Sequence, residues 1–264
     1  MAITLATAGR NAATDAIVDL VDAGSGAGYV EIGTTSFASI LATITLSDPA
    51  FGASSTGTAT LSGTPLSDTS ADNTGTAAVY RFRDSDDNTV FEGECTTSGT
   101  DGDLTLSAAA QRAALDAITA LLDGGGEVEF TTAGDTSFAS PVATLPLNTD
   151  AFAAASGSNP ATAAMNTGTA VQATASGSGT VTLFRMITSG GTEVLRGTVG
   201  TSGADINFNS NVFAAGVQVT LNSFTLSQAQ TATDTGEMVL GSLSITSGQA
   251  VTITSGSYTH PAGG

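Results

Sequence analysis

The sequence predicts a mainly β fold with one α-helix per repeat, an α+β class with sandwich or barrel-like sheets, built as two homologous domains. Three observations predict it. Thr-rich stretches carry short Val, Ile, Leu and Phe runs punctuated by Gly, the pattern of many short strands. Two Ala-rich segments space their apolar residues as a helix face does. Most of the chain also repeats: residues 3–24 match 104–125 at an offset of 101.

The elements follow in order. Ala13, Ala16, Ile17, Leu20 and Val21 give the first helix an apolar stripe that stops at Gly24. Gly28–Gly33 and Leu41–Leu46 read as strands, with a turn at Asp48-Pro49. Ala77–Arg83 and Val90–Cys95 flank a turn at Asp84–Asn88, a hairpin signature. Ser107 is the expected N-cap of the second helix, whose face is Ala110, Ala113, Ala114, Ala117, Ile118, Leu121 and Leu122, ended by Gly124–Gly126. Asp22 and Asp123 stand at the unfavourable ends of the two helix dipoles. Glu127–Thr131 reads as a half-buried strand. Val181–Ile187 and Val194–Val199 form a second hairpin around Thr188–Gly191. Ile206–Phe208, Val217–Leu221 and Phe224–Leu226 complete the strands.

The repeat organises these elements. Thr35–Ser39 matches Thr136–Ser140 at the same offset, and Ala50-Phe51 matches Ala151-Phe152. Later the offset becomes 104, pairing Tyr80-Arg81 with Phe184-Arg185, Gly93 with Gly197 and Thr97-Ser98-Gly99 with Thr201-Ser202-Gly203. A shorter repeat of offset 32 relates residues 205–226 to 237–258. The first repeat lacks this closing hairpin in sequence, and one hairpin is left over. The economical arrangement is an insertion: residues 1–103 form the first repeat, completed by a C-terminal hairpin in 236–264, and residues 104–235 form a second repeat inserted into it. A tandem pair with a truncated first copy is the alternative.

Charge excludes several functions. The chain of 264 residues has 24 Asp plus Glu against six Arg and no Lys, a formal charge of −18. Nucleic-acid binding needs clustered cations, and so does a polybasic membrane anchor. No apolar stretch of about 18 residues is long enough for a membrane helix. The N-terminus lacks a basic segment followed by a long apolar one, so no secretory signal is expected and the chain is expected to accumulate in the cytoplasm where it is made.

Candidate chemistry is sparse. Asp84, Asp86 and Asn88 have the spacing that opens a calcium loop, but Thr89 and Cys95 stand where its glycine and closing glutamate belong. A hairpin turn is the expected role, with cation binding left open. Cys95, the sole cysteine, reads as an inert buried thiol. The sole histidine, His260, reads as an exposed tail residue. Asp101/Asp103 and Glu127/Glu129 read as solvated acidic surface rather than a hydrolytic pair. Arg81 and Arg185, retained in both repeats, are expected to brace the fold by pairing with a carboxylate, or to lie at a contact surface. No catalytic, cofactor-binding or metal residue is assigned, and no cofactor is expected.

Several segments carry a resemblance: Thr76–Ser98, Thr180–Ser202 with the following residues through Ser210, Asp15-Ala16-Ile17 with Asp116-Ala117-Ile118, and Leu46–Phe51. With them the chain resembles a family of small tailed-bacteriophage virion proteins, head-associated products made with the major capsid protein. This chain departs from that family in being duplicated. The resemblance implies a non-enzymatic capsid decoration, or cement, protein, whose partner is the major capsid protein and whose place is the capsid surface. Self-association as a trimer at lattice three-folds is the family habit. A tail or head-fibre protein touching the host surface and a carbohydrate-binding module are the alternatives, the latter disfavoured by the absence of Trp.

Overall fold

Local sequence sets the two helices. In the computed structural model, which describes residues 3–95, 103–229 and 231–262, helix α1 spans Thr7–Val18 and continues as a 3-10 turn over Asp19–Asp22. Helix α2 spans Ala108–Ala120, and its N-cap Ser107 Oγ accepts the Ala110 N–H at 3.1 Å. Both carry the predicted apolar stripe, turned slightly so that polar Thr14 and Gln111 are also buried. Those two have partners inside. Thr14 Oγ1 donates to the Gly57 carbonyl at 2.8 Å, and Gln111 bonds Leu106, Asn159 and Ala161. The helices pack on each other.

The strands make a mainly β molecule with two large, almost wholly antiparallel sheets. The nine-stranded sheet runs Ile40–Thr45, Tyr29–Gly33, Val79–Arg83, Thr89–Glu94, Asp103–Leu106, Thr231–Leu240, Val251–Thr259 and Thr58–Thr60, with Leu66–Asp68 also on Val251–Thr259. The seven-stranded sheet runs Ala143–Pro146, Glu127–Thr132, Gly179–Ile187, Glu193–Gly200 and Thr4–Leu5, with Ile206–Asn207 and Val212–Phe213 at its side. Three short pairs lie apart, Ala161–Ala164 with Thr225–Gln228, Val171–Thr174 with Gln218–Leu221 and Gly75–Thr76 with Ser244–Ile245.

Registers repeat with the sequence. Ser257 opposes Thr60 as Thr225 opposes Ala164. Ser244 opposes Thr76 as Val212 opposes Thr180. The strand ahead of each helix crosses over. Leu5 pairs with Leu195 and Thr4 with Arg196, while Leu106 pairs with Phe91 and Thr105 with Glu92. Under the two offsets these are the same pairs. Each repeat thus lends its first strand to the sheet of the other, and the two helices meet at the crossing.

The core is aliphatic with an aromatic cluster under each large sheet. Phe82 stacks on Phe91 at 4.7 Å between centroids, with Phe51, Tyr80 and Tyr258 around them. In the second repeat Phe152 and Phe184, the counterparts of Phe51 and Tyr80, both meet Phe224, and Phe130, Phe208 and Phe213 form a separate cluster. Gly93 and Gly197 face Tyr80 and Phe184 across the ladder, and a Cβ there would lie 2.5 and 2.6 Å from the rings. Glycine is required because the aromatic ring lies flat over its partner strand. No helix among the described residues is long and apolar enough to cross a membrane. The Thr97-Ser98-Gly99 repeat element and Asp101 lie outside the described residues.

Candidate functional site

The two repeated arginines sit in twin sites on the sheets. Arg81 Nε lies 2.5 Å from Glu31 Oε2, and Arg185 Nε lies 2.5 Å from Glu129 Oε2. Each guanidinium also covers a phenylalanine ring, Phe37 at 4.4 Å and Phe138 at 4.7 Å. Both rings come from residues with left-handed backbone, φ 53° at Phe37 and 57° at Phe138. Bulky side chains rarely adopt that conformation, so its presence in both repeats marks a position held by tertiary contacts. The remaining arginines are also engaged. Arg83 and Arg196 pair with Glu31 and Glu193. Arg10 and Arg112 donate from the two helices to the Thr56 and Gly157 carbonyls. The cations hold the fold, leaving no basic patch.

The predicted carboxylate features take structural roles. Asp84 is buried in its hairpin turn, where Oδ1 accepts the Asp86 and Asn88 N–H groups and Oδ2 accepts Asn88 Nδ2. The carboxylate is saturated by its own turn, as an Asx motif requires. Among the described residues no cluster of three or more His, Cys, Asp or Glu could hold a metal ion. Cys95 follows the strand rather than lying in it, and is half-buried against the core rather than fully buried. Of the pair Glu127/Glu129, Glu129 is buried, not surface: the Arg185 guanidinium lets the charge leave water. Asp22 and Asp123, unfavourable to their helix dipoles, accept the Ala50 and Ala151 N–H groups, each at 2.8 Å. Asp15 and Asp116 do the same for Ser54 and Ala155 at 2.7 and 2.6 Å. Each helix thus fastens the loop that follows the third strand of its repeat, Ile40–Thr45 or Ala143–Pro146.

His260 is the main correction. It is 4 % exposed, not a solvated tail residue. Its Nδ1 bonds the fully buried Asp234 carboxylate, which also accepts Tyr258 Oη at 2.9 Å and Gln228 Nε2 at 3.1 Å. Burial, reinforced by the Asp234 charge, pushes the Tyr258 hydroxyl well above its usual range, so it remains a donor. The cluster borders a cavity of about 380 Å³ with a largely apolar wall that includes Leu5, Leu115, Ile118 and Leu226. No family model, curated protein or solved structure matches this chain. Asp234 is satisfied on both oxygens. The arrangement supplies the buried Asp234 carboxyl with hydrogen-bond partners and ties the strand Val251–Thr259 to Thr231–Leu240 beside it. Sequence reasoning missed it because Asp234 lies in a Thr-rich stretch with no motif. The available signal was the short repeat, which sets Tyr258 and His260 against Leu226 and Gln228.

Proposed function

We propose that this chain is a capsid decoration protein, binding the outer surface of an assembled major capsid protein lattice in a tailed-bacteriophage head. The observation that carries the reading is a contact face on an otherwise self-satisfied acidic body. Val212 and Val217 are 64 % and 56 % exposed and are the exposed large apolar side chains among the described residues. They share the rim of one groove of about 400 Å³ with Asn209, Gln218 and Thr220. Exposed apolar groups gathered in one place favour protein contact. The resemblance in the hairpin and helix segments supports the virion setting. Two fused, equivalent units suit binding to a repetitive lattice, where linked weak contacts add avidity. In this reading residues 104–235 are a second domain inserted into one made of 1–103 and 236–264, which is supported by Thr231–Leu240 and Val251–Thr259 sharing a sheet with Tyr29–Gly33.

Co-sedimentation with expanded capsids tests the reading, with capsid melting as second readout. Saturable, stoichiometric binding that raises capsid melting is expected. The double variant Val212→Asp/Val217→Asp should fold with an unchanged melting temperature and lose at least about tenfold in capsid affinity. Absence of binding by the unsubstituted protein overturns the decoration role and directs attention to the tail and fibres.

A further inference from the structure

The two large sheets, of nine and seven strands, differ beside their crossed first strands. In the nine-stranded sheet, Thr231–Leu240 lies between Asp103–Leu106 and Val251–Thr259. By the repeat, the counterparts of those two flanking strands are Thr4–Leu5 and Thr225–Gln228. Offset 32 maps Met238-Val239 of the intervening strand onto Ile206-Asn207, which pairs with Val199-Gly200 instead, and no strand among the described residues runs between Thr4–Leu5 and Thr225–Gln228. Thr4–Leu5 ends the main path of its sheet, and Thr225–Gln228 pairs only with Ala161–Ala164. The space between is the cavity of about 380 Å³ beside Asp234, lined by both edges.

The backbone of that edge is set for pairing. Thr162 exchanges both its backbone bonds with Ser156, and the Ala164 carbonyl accepts from Ala153. The Thr162–Ser227 and Ala164–Thr225 pairs are therefore the non-hydrogen-bonded pairs of their ladder, so the Ser227 and Thr225 amides face the cavity. Their counterparts Thr259 and Ser257 oppose Thr235 and Glu237 of the strand that fills the other sheet. Thr225 and Ser227 are exposed. The opposite wall is narrower, because the Leu5 N–H already donates to the Ala262 carbonyl.

We infer that this slot receives an extended β-strand segment of a partner polypeptide, running antiparallel to Thr225–Gln228 and turning an apolar side chain inward. The filled half of the same molecule identifies the class of occupant: a strand, held by ladder bonds on an exposed edge. It also identifies how the occupant differs. In the filled half Asp234 points at Tyr258 and His260. The repeat replaces these by Leu226 and Gln228, with Leu5, Leu115 and Ile118 nearby. A carboxylate at that position would have lost its tyrosine and histidine donors, whereas a leucine would be buried among its own kind. The inference goes beyond the decoration reading and stands without it.

The test uses the full chain and two synthetic decapeptides. One has the sequence of residues 231–240, and the other carries Asp234→Leu. Calorimetric titration should show saturable binding of the leucine peptide, at least about tenfold tighter than the aspartate peptide. Ser227→Pro in the protein removes an outward amide without removing an existing ladder bond. It should leave melting unchanged and weaken the leucine peptide by about tenfold or more, while Ser227→Ala should bind as the parent does. Should Ser227→Pro fail to fold, amide exchange in the parent protein decides, with slowing at Thr225 and Ser227 on peptide addition as the expected result. Failure of both peptides to bind overturns the inference. So does binding that ignores Ser227→Pro and leaves those two amides exchanging as before, which would mark the cavity as a site for small apolar molecules.

Discussion

At the residue scale the recurring device is a cation or carboxylate used as an internal tie. Arg185 joins Glu129, Glu193 and the Phe138 ring on one sheet face. The side chains are about four-fifths buried or more, at 20 % and 11 % exposure for Arg185 and Glu129. Arg185→Ala should therefore cost about 1–3 kcal/mol in denaturant unfolding, between the exposed and the buried limits for ion pairs. Arg185→Lys should recover little, because an ammonium offers neither the planar stack nor the Nε contact. Asp135 is a second tie. Its carboxylate accepts the Ser140 and Ala139 N–H groups and the Ser137 and Thr131 hydroxyls, which hold its pKa down to about 2. A folded-state value below the unfolded one, about 3.9, stabilises above the unfolded value and loses that stabilisation as pH falls through the folded one. Asp135→Asn should thus melt below the parent at pH 6, and the two melting temperatures should converge toward pH 2. An Asp135 carboxyl resonance titrating near 4 would refute the assignment.

At the element scale the helices are shaped by what they hold. An acidic residue near a helix C-terminus is unfavourable by a few tenths to about 1 kcal/mol. Asp22 outweighs this by fastening Ala50, since a hydrogen bond to a charged group contributes about 1.5–3 kcal/mol. Asp22→Ala should consequently destabilise by about 1–2 kcal/mol, not stabilise. Burial raises the pKa of Asp22 as well, against the pull of the Ala50 N–H, and Asp19 shows the same effect without such a bond. Burial first, then the charges of Asp15 and Asp22, raises its pKa, so its ionised form is disfavoured in the folded state. Asp19→Asn should raise the melting temperature at pH 7, and the gain should vanish below about pH 4, where the native carboxyl is protonated in both states. The strands obey the same economy. Gly93 and Gly197 surrender strand propensity to let Tyr80 and Phe184 lie across them.

At the scale of the molecule the crossed first strands decide how the halves depend on each other. Glu193–Gly200 is completed by Thr4–Leu5, and Thr89–Glu94 by Asp103–Leu106. Neither sheet keeps its full edge when the repeats are separated. Residues 103–235 produced alone still carry a strand equivalent to Thr4–Leu5 ahead of α2. Two such chains can exchange these strands as the two repeats do here, a symmetric swap. Light scattering should find that fragment as a dimer, and a folded monomer would show that the crossing is dispensable.

Much of this architecture was legible in sequence, for a physical reason. Helix stripes, the Ser107 cap, the Asp84–Asn88 turn and the repeat offsets all rest on local periodicity and backbone preference, which act before any tertiary contact forms. The arginine braces were foreseen because the same residue recurred in both repeats. What local pattern could not carry is which distant groups meet. His260 reads as a tail residue until Asp234 and Tyr258, brought beside it by the C-terminal hairpin, give the ring a buried partner. Glu129 reads as surface until Arg185 on the adjacent strand neutralises it. The unequal sheets were hidden likewise, since strand edges depend on pairing across long stretches of chain. By itself the sequence determined the elements and their duplication. Only the tertiary structure decided which charges could leave water and which edge was left open, because both depend on neighbours far away in the chain.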